Sequence, residues 1–186
     1  MDREITTTER PATERPATEH PATEHQATER PVKSVSASRT EQVHILFPGL
    51  LNHQGHLYGG KLLEWIDEIA AIVAMRHCGG NVVTASIDHL DFKAGAKMGE
   101  TIFIEAFLTY VGRTSMEVRI DSYVEKMEDG MRHLINRAYF VMVGVDQNGK
   151  PTPVPALKIE TIGEQAEWEA GKKRQELRKR RVTEGF

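Results

Sequence analysis

Between Gly59 and Cys78 the chain reads GGKLLEWIDEIAAIVAMRHC, and this stretch restricts the possible fold more than any other. Projected at about 100° per residue, Leu62, Ile66, Ile69 and Val73 form the centre of an apolar arc. Trp65 and Ile72 flank it on one side, and Leu63, Ala70 and Ala74 on the other. The polar strip is only Lys61, Glu64 and Glu68. A helix with so wide an apolar arc has to be wrapped by other elements rather than laid on a surface. It is expected over about residues 61–78, with the glycines from Gly79 onward as its stop.

The segments around this helix can supply the wrapping. VVTASIDHLDF, TIFIEAFLTYVG, TSMEVRIDSYVEKM and HLINRAYFVMVGVD all read as strands, and EQVHILF forms a shorter one before the helix. Ile102, Ile104, Ala106 and Leu108 alternate with polar residues, the mark of a sheet with one buried face. Turn signals at KAGAKMGE, VGR, EDG and QNGK separate the strands, and such short links favour antiparallel neighbours. One long helix with an antiparallel meander is an α+β layout.

The two ends differ in character from this middle. Residues Thr8 to Pro31 repeat a TERPA-like unit whose prolines block helix and sheet ladders and whose apolar content is almost only alanine. A disordered tail is therefore expected over residues 1–38, a folded domain over 39–160, and a charged helix or tail over 161–186. His20 and His25 stand five apart in the repeat, a poor basis for a metal site. His53 and His56 lack a third ligand with matching spacing, so no metal is expected. His77 reads as a hydrogen-bonded residue at the helix end, and Cys78 as a packing residue, because the dipole at a helix C-terminus opposes a thiolate.

A formal net charge of -3 argues against a polyanion-binding surface over the whole molecule. The basic run KKRQELRKRR has neither interleaved aromatics nor an apolar face, so neither nucleic acid nor a membrane is an expected partner. The N-terminus lacks the apolar core of a signal peptide, and one cysteine rules out an internal disulfide. These features make the cytoplasm the expected location.

Asp67 is the anomaly within the helix. It projects beside Leu63, Ala71 and Ala74, so it is expected to be only partly solvated. A carboxylate in such a place needs partners or a chemical role, and helix geometry leaves both readings open. Gly59 and Gly60 immediately precede the helix, whose first amides have no intrahelical acceptor and carry the positive end of the dipole. Lacking Cβ atoms, the two glycines let a ligand oxygen approach, as an oxyanion at a carbonyl requires. With Asn52 in the preceding loop, these residues make a plausible hydrolytic set: oxyanion donors, a base for water and an amide to orient it.

The pattern Pro48-x-x-x-Asn52-x-x-Gly55-x-x-x-Gly59-Gly60-x-x-Leu63-x-Trp65-Ile66-Asp67-Glu68 resembles the hot-dog superfamily acyl-CoA thioesterases of the cytosolic acyl-CoA hydrolase type. The resemblance continues through RHC at Arg76, VTASIDHLDF at Val83, VGRTSMEV at Val111 and VPAL at Val154, covering roughly residues 43 to 160. It implies a long helix enclosed by a curved antiparallel sheet and an enzyme that cleaves acyl-CoA to fatty acid and coenzyme A. Asp67 would be general base or nucleophile, Asn52 from the neighbouring subunit would hold water or substrate, and the Gly60 amide would polarise the thioester carbonyl.

By the same resemblance Arg113, Thr114 and Ser115 would lie near the CoA phosphates and pantetheine, and Thr84 would line the catalytic pocket. Coenzyme A would enter as part of the substrate, with no separate cofactor. The assembly implied is a homo-oligomer of hot-dog dimers, a hexamer. Leu50, at a position often polar in that family, and His53 and His56 in the catalytic loop depart from its pattern. Two rivals are a dehydratase, which needs a histidine paired with an acid, and a non-catalytic acyl-CoA sensor, which could dispense with Asp67. Release of free coenzyme A separates the hydrolase from the sensor.

Overall fold

The computed structural model describes residues 30–126 and 130–185. His20, His25 and most of the repeat lie outside the described residues, as do Glu128 and Asp129 of the EDG turn. The elements are β1 (Val32–Ser34), β2 (Thr40–Ile45), a 3-10 turn (Pro48–Leu50), α1 (Gly59–Cys78), β3 (Asn81–Phe92), β4 (Thr101–Val111), β5 (Ser115–Glu125), β6 (Arg132–Val145), β7 (Ala156–Lys158) and α2 (Ile162–Glu184). Five strands form one antiparallel sheet in the order β2-β4-β5-β6-β3.

That order corrects one expectation. The link over residues 93–100 does not join neighbours, because β3 pairs with β6 and β4 lies between β2 and β5. The chain crosses from one edge of the sheet to its interior, which leaves β3 as an edge strand of 12 residues. Turn chemistry marks where a chain bends and says nothing of which strand it meets next.

The sheet curves around α1, the hot-dog arrangement. Ile66, Ile69, Ala70, Val73 and Ala74 are fully buried, and Leu62 and Trp65 nearly so. They pack on the alternating inner row of β4, Ile102, Ile104, Ala106 and Leu108, and on Val118, Ile120, Ala138 and Phe140 of β5 and β6. Ile72 and Leu63, at the arc's flanks, are half-buried. Gly79 ends the helix in the left-handed conformation at φ 71°, where its N–H closes on the Met75 carbonyl. His77 is buried, and its Nε2 lies 3.0 Å from the Pro155 carbonyl.

The expected tail ends earlier than residue 38. β1 pairs in parallel with β7, Val35 and Ser38 are buried, and the Arg30 guanidinium donates to the carbonyls of Val154, Gly112 and Pro155. A three-residue strand has too few positions to show a period, and its partner lies more than 120 residues away. The C-terminal segment is a helix, started by a reciprocal capping box between Thr161 and Glu164. α2 docks on the outer face of the sheet mainly through ions. Glu117, 1% exposed, accepts from Thr109 Oγ1, Arg174 and Arg178. Gly171 makes this approach possible, since a Cβ there would lie 2.6 Å from Tyr110 Cβ.

Candidate active site

Asp67 is carried on the exposed flank of α1, and its Oδ1 accepts a 2.8 Å hydrogen bond from Thr84 Oγ1 on β3. Two of the expected site residues thus meet. A single carboxylate oxygen is engaged, so the other can accept a proton or a water hydrogen. In one chain Asp67 is exposed rather than partly solvated as its position on the helix suggested. The edge strand beside it explains this, because on that flank the sheet ends.

Asn52, Gly59 and Gly60 gather at the other end of the arrangement. Asn52 Oδ1 accepts from the amides of Gln54 and His56 at 2.9 and 3.2 Å, an Asx turn that holds the loop before the helix. With its oxygen committed to the loop, the side chain offers its NH2 as a donor. Tyr58 is the N-cap and makes no side-chain capping bond, so the first amides of α1, at Gly59 and Gly60, have no intrahelical acceptor. A Cβ on Gly60 would meet the Tyr58 ring at 2.5 Å, and one on Gly59 would approach Phe92 at 3.8 Å. The aromatic side chain of Phe92, at the end of β3, therefore stands beside the helix start.

Within one chain these two groups cannot act on the same carbon. Gly60 and Asp67 are seven residues apart on one helix, about 10 Å along its axis. Arg113, Thr114 and Ser115 form the β4–β5 turn, closed by Gly112 N–H donating to the Ser115 carbonyl at 2.8 Å. The register row Met116, Met142, Thr84 places that turn beside the Asp67 end of the sheet, two strand spacings or about 10 Å away. The structure thus joins Asp67 with Thr84, leaves the Arg113 turn nearby, and separates both from Asn52 and the glycines. Sequence reasoning without the family resemblance had no signal for Thr84, one hydroxyl in a strand. The Arg30 clamp on the Gly112 carbonyl went unseen because residue 30 falls in the repeat.

A helix enclosed by a curved antiparallel sheet, with an acid on its flank and glycine amides at its start, defines a hot-dog domain. Residues 54–130 match the family model described as Thioesterase superfamily. The uncharacterized acyl-CoA thioester hydrolase YkhA of Bacillus subtilis is 39% identical over 124 residues, which cover 67% of this chain and 72% of that one. The cytosolic acyl coenzyme A thioester hydrolase of Rattus norvegicus is 36% identical over 143 residues, or 76% of this chain; they span only 38% of the rat protein's length.

Solved structures agree. An apo-hexameric acyl-CoA thioesterase superposes with a TM-score of 0.79 at 43% identity, covering 82% of this chain and 97% of that one. An acyl-CoA hydrolase from Staphylococcus aureus, an asparagine-to-alanine variant in complex with coenzyme A, gives 0.80 at 36% identity, covering 84% and 94%. The same hydrolase has also been solved with an aspartate and with a threonine replaced by alanine. The chain belongs to the thioesterase superfamily, among its acyl-CoA thioester hydrolases.

Proposed function

We propose that this chain hydrolyses acyl-CoA to a fatty acid and free coenzyme A in sites shared between two copies of itself. The observation that carries the reading is the direction of the β3 edge. Antiparallel pairing of β3 with β3 of a second copy sets the Thr84 end of one strand beside the Phe92 end of the other. Phe92 adjoins Gly59, so the pairing brings Asp67 and Thr84 of one protomer to the helix start and Asn52 of its partner. Val83, Ile87 and Phe92 on β3 are each more than 40% exposed in the single chain, and a partner strand would also satisfy the open backbone edge.

In this site the thioester oxygen sits on the Gly60 amide, and the Asn52 amide orients a water. Asp67, held by Thr84, takes a proton from that water as its oxygen attacks the carbonyl carbon. The Gly60 amide and the helix dipole stabilise the oxyanion. The C–S bond then breaks, the oxyanion collapses to the carboxylic acid, and the proton passes to the departing thiolate. Arg113, Thr114 and Ser115 take the nucleotide and pantetheine end, where a guanidinium and hydroxyls suit phosphate oxygens. The residues replaced in the S. aureus hydrolase are an asparagine, an aspartate and a threonine, spaced along that chain as Asn52, Asp67 and Thr84 are along this one; this supports the assignment.

Coenzyme A is a piece of the substrate here, and no cofactor, metal or nucleic acid has a part. The assembly we propose is a homo-oligomer of such dimers; the hexameric relative supports a hexamer, and the cytosolic relatives support a cytoplasmic location. Asp67→Ala and Asn52→Ala should each be folded and nearly inactive. Unfolding them together and refolding the mixture should produce heterodimers with one doubly defective site and one intact site. With random pairing about a quarter of all sites regain activity. A mixture as inactive as its parents, despite verified heterodimers, rules out the shared site.

A further inference from the structure

The site does not account for α2. This helix buries little apolar surface of its own, yet it runs across the outer face of the sheet on a line of specific contacts. Trp168 lies against Tyr110 of β4 with ring centroids 5.5 Å apart. Arg174 stacks its guanidinium 3.9 Å from the Tyr139 ring centroid on β6 and reaches Glu117 on β5. Arg178 bridges Glu117 to Asp88 on β3, at 2.7 and 2.9 Å, and Arg181 also pairs with Asp88. The path therefore crosses the sheet from an interior strand to its open edge and ends there.

Asp88 is an unusual terminus for such a path. The β3–β6 register shifts between Thr84 and Ser86 and again between Ile87 and His89, so Asp88 is the extra residue of an edge bulge. Its side chain is only 7% exposed, held there by arginines that come from α2. Beyond it the last turn of α2 overhangs the edge. Ser86 and Ile87 on one side and Val182 and Gly185 on the other bound a groove of about 360 Å³. Val182 is 85% exposed and Ile87 43%, apolar surface left open among the described residues.

We propose that the C-terminal turns of α2, Arg178 to Gly185, form a clasp across the seam between two copies of the chain, covering the β3 edge of the partner. The proposal rests on the β3-paired dimer above. A register that sets Thr84 opposite Phe92 centres the two-fold axis near Asp88, midway between them. The groove then lies on the axis, and the strand that enters it is the partner's β3. By symmetry the two basic helix ends converge over two copies of Asp88, opposite in charge to the arginines that reach them. Each α2 thereby ties its own bulged edge to the seam, and the first of that edge's two register shifts begins one residue beyond Thr84. The occupant is a second copy because the groove is continuous with an open twelve-residue strand edge, which an antiparallel copy of the same strand completes.

The test uses the full-length chain with Cys78 replaced by Ser and Val182 by Cys, so that position 182 carries the only thiol. A bismaleimide with a reach of about 10 Å should convert most of the protein to covalent dimers. Val182→Arg, a surface change in an isolated chain, should leave the far-UV circular dichroism unchanged and speed subunit exchange between fluorescently labelled dimers at least fivefold. Dimers that yield only monomeric adducts and exchange at the wild-type rate would overturn the clasp while leaving the shared site standing. A monomer in light scattering would overturn both, and the Asp67/Asn52 mixing experiment would then also show no recovery.

Discussion

Arg113 stands exposed at the tip of the β4–β5 turn, while the backbone around it is fixed: its carbonyl accepts from Val154, and Arg30 grips the neighbouring Gly112. A cation on a rigid turn binds a phosphate similarly in the ground and transition states, so it contributes to uniform binding. Arg113→Ala should therefore raise KM for acyl-CoA about tenfold and leave kcat nearly unchanged, in line with about 1.5–3 kcal/mol for a hydrogen bond to a charged group, reduced by exposure. Steady-state kinetics with acyl-pantetheine, which lacks the nucleotide, should show no difference between variant and wild type. Equal losses on both substrates would make Arg113 a structural residue. Asp67 illustrates the opposite situation at this scale. Its place on the flank of α1 was readable from helical projection, but its exposure was not, because the sheet ends beside that flank.

The N-terminal boundary is decided by elements. β1 and the turn after it belong to the fold, with Val35 and Ser38 buried and β1 seated on β7. Removal of residues 1–29 should leave the thermal midpoint within about 1 °C, since the proline-rich repeat has no residues able to build a core. Removal of residues 1–38 should lower it by several degrees, because burying a valine side chain contributes about 1.5–3 kcal/mol and the strand pairing and Arg30 clamp go with it. Two truncations melting together in a thermal scan would place β1 and its turn outside the cooperative unit. The long elements were legible in sequence because each repeats its period many times: α1 over 20 residues, β4 through Ile102 to Leu108. The pair β1 and β7, with three residues each, offered no period, and the docking of α2 could not be read from an apolar face because ions hold it.

At the scale of the whole molecule, pH dependence follows from histidines held neutral. Burial pushes the His77 imidazole below its ordinary 6.5, although its bond to the Pro155 carbonyl opposes this, and Nδ1 has no partner among the described residues. Burial also lowers His44. The unfolded chain takes up protons below about pH 6.5 where the folded chain does not, so stability is complete above that pH and declines as it falls. Urea midpoints should drop between pH 7.5 and 5.5, and His77→Gln, which donates without titrating, should flatten that drop. An unchanged slope in the variant would remove His77 from the account. Sequence by itself determined the wrapped helix, the alternating strands, the glycine stop and the presence of an acid where the helix otherwise packs, since these depend on neighbours along the chain. Tertiary structure alone decided that β3 leaves the meander for the sheet edge and that Thr84 meets Asp67. Those relations are distances between residues remote in sequence, set by how a curved sheet closes on its helix, and no local pattern encodes them.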